Sequence, residues 1–243
     1  MYTKLLSCAG ILALMLALGL PGKALAASAG ALDAKQVSVI SISAYTANGD
    51  MEKLKPALVE GLESGLTVNE IKEVLVQLYA YCGFPRSLNG IHAFMALLDE
   101  RRQSGITDVA GKEATPMPAE MNRDQYGAET RAKIGGRATI PPPSGYQVFA
   151  PVIDSFLKEH LFADIFYRDV LDWQTRELAT ISALAAMSGT AGQLRFHLAG
   201  AMNMGMTEAQ MQQFIAVIAE RVGKEESETA GEVLGAILAA RNK

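Results

Sequence analysis

Ile71, Val74, Leu75 and Leu78 fall at the spacing that lines one face of an α-helix, and Met211, Phe214, Ile215 and Ile218 repeat that spacing 140 residues later. Each run opens on a capping box, Thr67-Val-Asn-Glu70 and Thr207-Glu-Ala-Gln210. In such a box the Thr hydroxyl accepts from the third helical amide while the Glu or Gln reaches back to the cap amide. Gly65 and Gly205 precede the caps, where the foregoing helix needs a left-handed terminator, and Gly83 and Gly223 close the helices that follow. The same shift aligns Gly49 with Gly189, Leu54 with Leu194 and Leu58 with Leu198, and a slip of one residue brings Ile40-Ser41 onto Ile181-Ser182. The pattern predicts an all-α tandem repeat, each unit running helix, turn, helix, Gly-x-Thr, helix, Gly, helix. The first unit spans 32–105 and the second 149–243.

Between the units, residues 106–148 carry Gly111, Pro116, Pro118, Gly135, Gly136 and Pro141-Pro142-Pro143-Ser144-Gly145. Proline removes a backbone donor and disfavours helix before it, so this linker reads as turn and extended chain. Its length suits a segment packed across one of the units.

The first 26 residues read as an export signal. Lys4 gives a positive start, Leu5 to Leu20 is uncharged and apolar, Pro21-Gly22 breaks helix, and Ala24-Leu25-Ala26 places small residues for cleavage. The alternative is a membrane anchor, for which the run is short. Leu5-Leu6-Ser7-Cys8 only loosely matches a lipoprotein box, with no apolar core ahead of the cysteine. A periplasmic or secreted protein without a stable membrane anchor is expected. Cleavage removes Lys4, Lys23 and Cys8. Cys82 is then the one thiol, unable to form an internal disulfide even in an oxidising compartment.

Composition narrows the classes further. Hydrophobic residues make up 49% of the 243 and aromatics 7%, which favours a helical core and excludes disorder or a disulfide framework. A net charge of -4 argues against nucleic acid as a partner, because that partner needs a basic face. There is no zinc-spaced His/Cys cluster, phosphate loop or Ser-His-Asp arrangement, so neither a metal nor a cofactor is expected.

The mature chain has three histidines, which keeps the search for chemistry short. His160 lies in an amphipathic stretch without an obvious polar partner and reads as a surface or capping residue. His92, three residues past Asn89, shares a crevice with it or is a satisfied half-buried histidine. His197 differs. Leu194 and Leu198 supply a buried face around it, and an antiparallel turn near Ser188-Gly189 returns Glu177 toward it. A buried Glu–His pair handles protons, each tuning the other; a structural hydrogen bond between helices is the equal alternative. The matching positions of the first unit are Val37 and Ala57, so only the second unit carries the pair. The first unit contributes Glu70, Glu73, Tyr79 and Tyr81, then Arg86 and Asn89; for Glu73 and Arg86 a solvated surface position is the commoner fate. Met202, Met204 and Met206 read as core filler.

Arg176-Glu177-Leu-Ala-Thr-Ile, then His197, then Gly205-Met-Thr-Glu-Ala-Gln, resembles the carboxymuconolactone decarboxylase family, which includes alkylhydroperoxidase D-like proteins. Gly65-Leu-Thr-Val-Asn-Glu-Ile and Tyr79-Ala-Tyr-Cys-Gly-Phe-Pro resemble the same family's capped helix and following turn. The resemblance implies an all-helical fold assembled as trimers or hexameric rings; tandem units in one chain imply a homotrimer of six pseudo-equivalent domains. It also implies two chemistries. In the peroxidase branch a Glu and a His assist a Cys-x-x-Cys pair, but Thr190 and Gln193 occupy those places here. The decarboxylase branch needs neither cysteine nor cofactor. For a small carboxylated unsaturated lactone, the resemblance makes His197 the proton donor and Glu177 its orienting partner or base. Arg86 or Arg176 would clamp the carboxylate, with Tyr81 and Asn89 also in the substrate site. Three readings follow: a decarboxylase-like enzyme acting on a small lactone or acid outside the cytoplasm, a thiol redox protein using Cys82, and a non-catalytic oligomeric scaffold. That lactone's catabolism is cytosolic in the family, which sits uneasily with export.

Overall fold

The computed structural model describes residues 30–241, so the leader expected over residues 1–26 lies outside the described residues. Ten α-helices and one π-helical segment carry the fold, with no strand among the described residues. The first unit comprises α1 (Ala34–Asn48), α2 (Met51–Glu63) and α3 (Val68–Gln103), and the second α7 (Trp173–Ala185), α8 (Ala191–Asn203), α9 (Glu208–Arg221) and α10 (Lys224–Arg241). Between them come α4 (Arg123–Ile134), α5 (Tyr146–Phe149), α6 (Pro151–Ser155) and the π-helical segment Phe156–Ile165.

Local chemistry sets the ends of these elements. Asp33, Asp50, Thr67, Asp172 and Thr207 each accept a backbone amide at a helix start, and both expected Thr capping boxes are formed. Gly65 and Gly205 adopt positive φ, as the terminators required. Gly83 (φ 80°, ψ 160°) interrupts α3 without ending it, so the first unit's last two helices form one broken rod. Gly223 does not share that conformation. Its amide donates to Ile218 O at 3.0 Å, and α9 closes at Val222.

Helices α1 and α7 form the centre. Ten consecutive residues are buried in each, 38–47 and 176–185. A helix buried all round must be apolar or self-satisfied on every face. The sequences do so in large part with Ala, Ile and Ser: Ser41 and Ser182 turn their hydroxyls back onto the carbonyls of Val37 and Leu178, while the buried hydroxyls of Ser43 and Thr46 in α1 have no partner among the described residues. Helix α3 packs on α7 and α9 on α1, so each central helix is covered by the other unit. Tyr45 Oη donates to Arg221 O at 2.8 Å across one crossing. The two units consequently share one hydrophobic core.

The linker corrects one expectation. Residues 123–134, read as turn and extended chain, form α4, capped by Asn122 and free of proline. Helix α4 packs on the π-helical segment, where Ile134, Leu161, Phe162, Ile165 and Phe166 build a second, smaller core. The linker's opening stretch runs back over α3: Val109 O and Ala110 O accept the amides of Val68 and Asn69. Trp173 and Tyr81 pack against the smaller core, and Tyr81 also against the main one. This junction holds the candidate site.

Candidate functional site

Glu177 opens the second turn of α7, behind the Asp172 cap, and His197 sits in the middle of α8. The antiparallel return brings them together. His197 Nδ1 lies 2.9 Å from Glu177 Oε2, with Glu177 fully buried and His197 5% exposed. With Nδ1 committed to the carboxylate, Nε2 is the nitrogen left to exchange a proton. The other carboxylate oxygen, Glu177 Oε1, is buried without a hydrogen-bond partner. Such an atom is costly unless a ligand or water meets it, so it marks a place where a polar group belongs.

Tyr81 faces this pair from the first unit. Its ring stands edge-on to His197 at 5.4 Å, and its buried hydroxyl also lacks a partner. Burial first, then the Glu177 charge, push the Tyr81 pKa up; the Thr180 hydroxyl offsets only part of this. Tyr81 therefore stays a neutral phenol, able to donate one hydrogen bond. Phe196 closes the other side of His197, edge-on at 5.0 Å. Gly200, one turn beyond His197, provides the space for Glu177: a Cβ there would stand 2.8 Å from Oε2 and 2.7 Å from Ile134 Cγ2.

The remaining expected site residues divide. Arg176 is not a substrate clamp. It is fully buried and donates to Glu73 Oε2 at 3.0 Å, Gln77 Oε1 at 2.8 Å and Arg168 O at 2.6 Å. A guanidinium so engaged holds α7 against α3, and its Nε is buried without a partner among the described residues. Arg86 is exposed, and its guanidinium turns to Ala47 O at the end of α1. Asn89 and His92 are exposed on the later part of α3, and neither makes a side-chain hydrogen bond among the described residues. Of the four expected binding residues, the structure brings only Tyr81 to the Glu177–His197 pair.

Glu73 reverses the surface reading. It is 5% exposed and accepts from both Arg168, at 2.9 Å, and Arg176. Burial opposes its ionisation, but the hydrogen bonds and charges of the two arginines prevail and hold its pKa below the usual carboxylate range. His160 is on the surface as expected, yet it does have a polar partner, Asp164 Oδ2 at 2.9 Å. Met206 is buried, and Met202 and Met204 pack against the two cores. Cys82 is half-buried, and its thiol donates to Leu78 O at 3.2 Å. Burial raises its pKa, with Arg86 opposing. No three His, Cys, Asp or Glu side chains are grouped to hold a metal among the described residues.

The sequence model of the carboxymuconolactone decarboxylase family matches residues 15–96 and 151–234. The chain belongs to that family. The two matches cover the two helical units in tandem, and the second contains both Glu177 and His197. The first begins inside the apolar run read as a leader. Among curated proteins, no sequence matches the chain. Membership of the carboxymuconolactone decarboxylase family accounts for the architecture. The reaction must be argued from the site, because a fold hosts more than one chemistry.

Proposed function

We propose that this family member is a cofactor-free enzyme that uses Glu177 and His197 to move a proton on a small carboxylated substrate, an unsaturated lactone acid or a related acid. The observation that carries the reading is the 2.9 Å His197 Nδ1–Glu177 Oε2 contact beside an unpartnered Glu177 Oε1. In decarboxylation, the bond to the carboxylate breaks and its electron pair moves into the conjugated lactone as carbon dioxide leaves. The proton on His197 Nε2 then goes to the distal carbon, and Glu177 stabilises the imidazolium that supplies it. In this reading Tyr81, whose buried hydroxyl is neutral and unpartnered, donates a hydrogen bond to an oxygen on which enolate charge develops. Net, one proton is consumed and one carbon dioxide released.

The test is turnover of carboxymuconolactone by the purified protein beside His197→Ala and Glu177→Gln. Losing a positioned proton donor costs roughly 10²–10⁴ in rate. Full turnover by H197A would overturn the assignment.

One observation favours a second reading, the non-catalytic scaffold. Glu177 is inaccessible and His197 nearly so, and the cavities lined by Asp33, Arg195, Tyr126 and Ser188 contain neither residue. A folded wild-type protein silent on carboxymuconolactone and related acids would support it. The thiol redox reading has the least support, since Cys82 has no second cysteine near it among the described residues and burial disfavours its thiolate.

Two wider expectations are part of the same proposal. The first is assembly as a homotrimer, for which residues 146–156 offer a run of exposed apolar side chains headed by Phe149 at 91% exposure. The second is export, with the mature chain beginning near residue 27. Among the described residues no helix is long and apolar enough to cross a membrane.

A further inference from the structure

Between α8 and α10 lies a cavity of about 410 Å³, large enough for a single small ring with a carboxylate. Among the described residues its charged lining groups are Arg195 and Arg241, and no acid of α4, α8 or α10 lines it. In a chain with a net charge of -4, two guanidinium groups lining one cavity without a carboxylate among the described residues are a specific feature. Arg241 is held in place, donating to Asn203 Oδ1 at 2.5 Å and Ala199 O at 3.0 Å. Arg195 is exposed and makes no ion pair among the described residues. The rest of the lining is apolar or small: Phe196 and Ile237, with alanines and glycines that leave the space open.

Phe196 connects this cavity to the chemistry. Its ring lines the cavity and also stands edge-on to His197, 5.0 Å between centroids. A ligand bound there is one aromatic ring away from the proton donor. Arg176 is locked to Glu73, and Arg86 is turned to the end of α1, so neither provides a cation on this side of α8.

We propose that this cavity is the carboxylate subsite, taking a small acid with a flat apolar body whose carboxylate is held by Arg195 and Arg241 and whose body lies against Phe196 and Ile237. Guanidinium forks match a carboxylate bidentately, and Phe196 and Ile237 offer an apolar surface for the body of the acid. This names a substrate class for the proton-transfer site and rests on that reading for its catalytic consequence. The binding claim stands on the cavity alone.

Calorimetric titration of the purified full chain with benzoate, and with its neutral isostere benzamide, tests the claim. Benzoate is expected to bind at least about tenfold more tightly than benzamide, because only it engages the arginines with charge-assisted hydrogen bonds. Arg195→Gln and Arg241→Gln are each expected to weaken benzoate by about tenfold and leave benzamide unchanged, while Arg195→Lys keeps part of the affinity. Equal binding of the two probes, no binding of benzoate, or full benzoate affinity in R195Q overturns the subsite. His197→Asn separates the two claims. If it abolishes turnover and keeps benzoate affinity, both stand. If turnover survives with benzoate binding intact, the catalytic reading fails and the subsite remains. If turnover is lost but the arginine variants bind benzoate normally, the subsite fails alone.

Discussion

Gly200 and Glu177 occupy adjoining space, and the carboxylate is where it is because position 200 lacks a side chain. A Cβ on residue 200 would lie 2.8 Å from Glu177 Oε2, closer than real contacts allow, with Ile134 Cγ2 as close on another side. Gly200→Ala gains about 1 kcal/mol of helix propensity in the interior of α8. Overpacking a filled interior costs about 1–3 kcal/mol, so the contact should prevail. The expected outcome is a lower thermal midpoint together with reduced turnover, because Glu177 cannot keep its place beside His197. An unchanged midpoint with unchanged turnover would show that the carboxylate has room to shift.

Glu73 gives the protein an acid-sensitive joint between its two units. Its folded-state pKa is depressed, so the stability it contributes is fully present above the unfolded value of about 4.3 and is lost as pH falls through the folded value. Asp154 behaves alike: burial opposes its ionisation, but Arg131 and Gln147 prevail and lower its pKa. The midpoint of unfolding should therefore fall steeply below about pH 4. Glu73→Gln leaves the fully buried Arg176 uncompensated and should cost about 3–5 kcal/mol at neutral pH. The variant should also show a shallower acid slope. Denaturant titrations at pH 7 and pH 3 measure both effects.

Cys82 tests the redox alternative. Its thiol is half-buried and its pKa raised, so alkylation at neutral pH should run more slowly than for a free thiol. Cys82→Ser should retain decarboxylase turnover and give no peroxide reduction beyond that of the wild type. Loss of a measurable peroxidase activity in this variant would instead return weight to thiol chemistry.

The exposed apolar run at residues 146–156 predicts assembly. Phe149→Glu combined with Phe156→Glu should convert a wild-type trimer to smaller species in light scattering, because a charge on a dry contact is strongly unfavourable. A wild-type chain that is monomeric at micromolar concentration would end the trimer proposal.

Much of the frame is legible in the residues themselves. The apolar spacing at 71–78 and 211–218, the two Thr capping boxes and the glycines ahead of them are local signals. Local hydrogen-bond geometry turned each into the element it announced. The Glu177–His197 contact was legible for a related reason: two buried positions on helices joined by a short turn have little choice but to meet. Helix α4 was hidden because the prolines and glycines on both sides of it dominate the composition of the linker. The fate of the charged residues was hidden more deeply. Glu73, Arg168 and Arg176 are about a hundred residues apart in part, and each alone looks like a solvated surface charge.

What the sequence determined by itself was therefore the main helices of the two units, their duplication and the meeting of Glu177 with His197. All of these follow from interactions within a few residues or across one turn. The tertiary structure decided which cation is a strut and which is open. Arg176 is inaccessible because α3 of the first unit crosses α7 of the second, and Arg195 is exposed because α8 turns that face away from the core. The crossing of the units depends on the shape of a shared core built from both halves. Burial of a charge is a property of that assembly, and no local pattern encodes it.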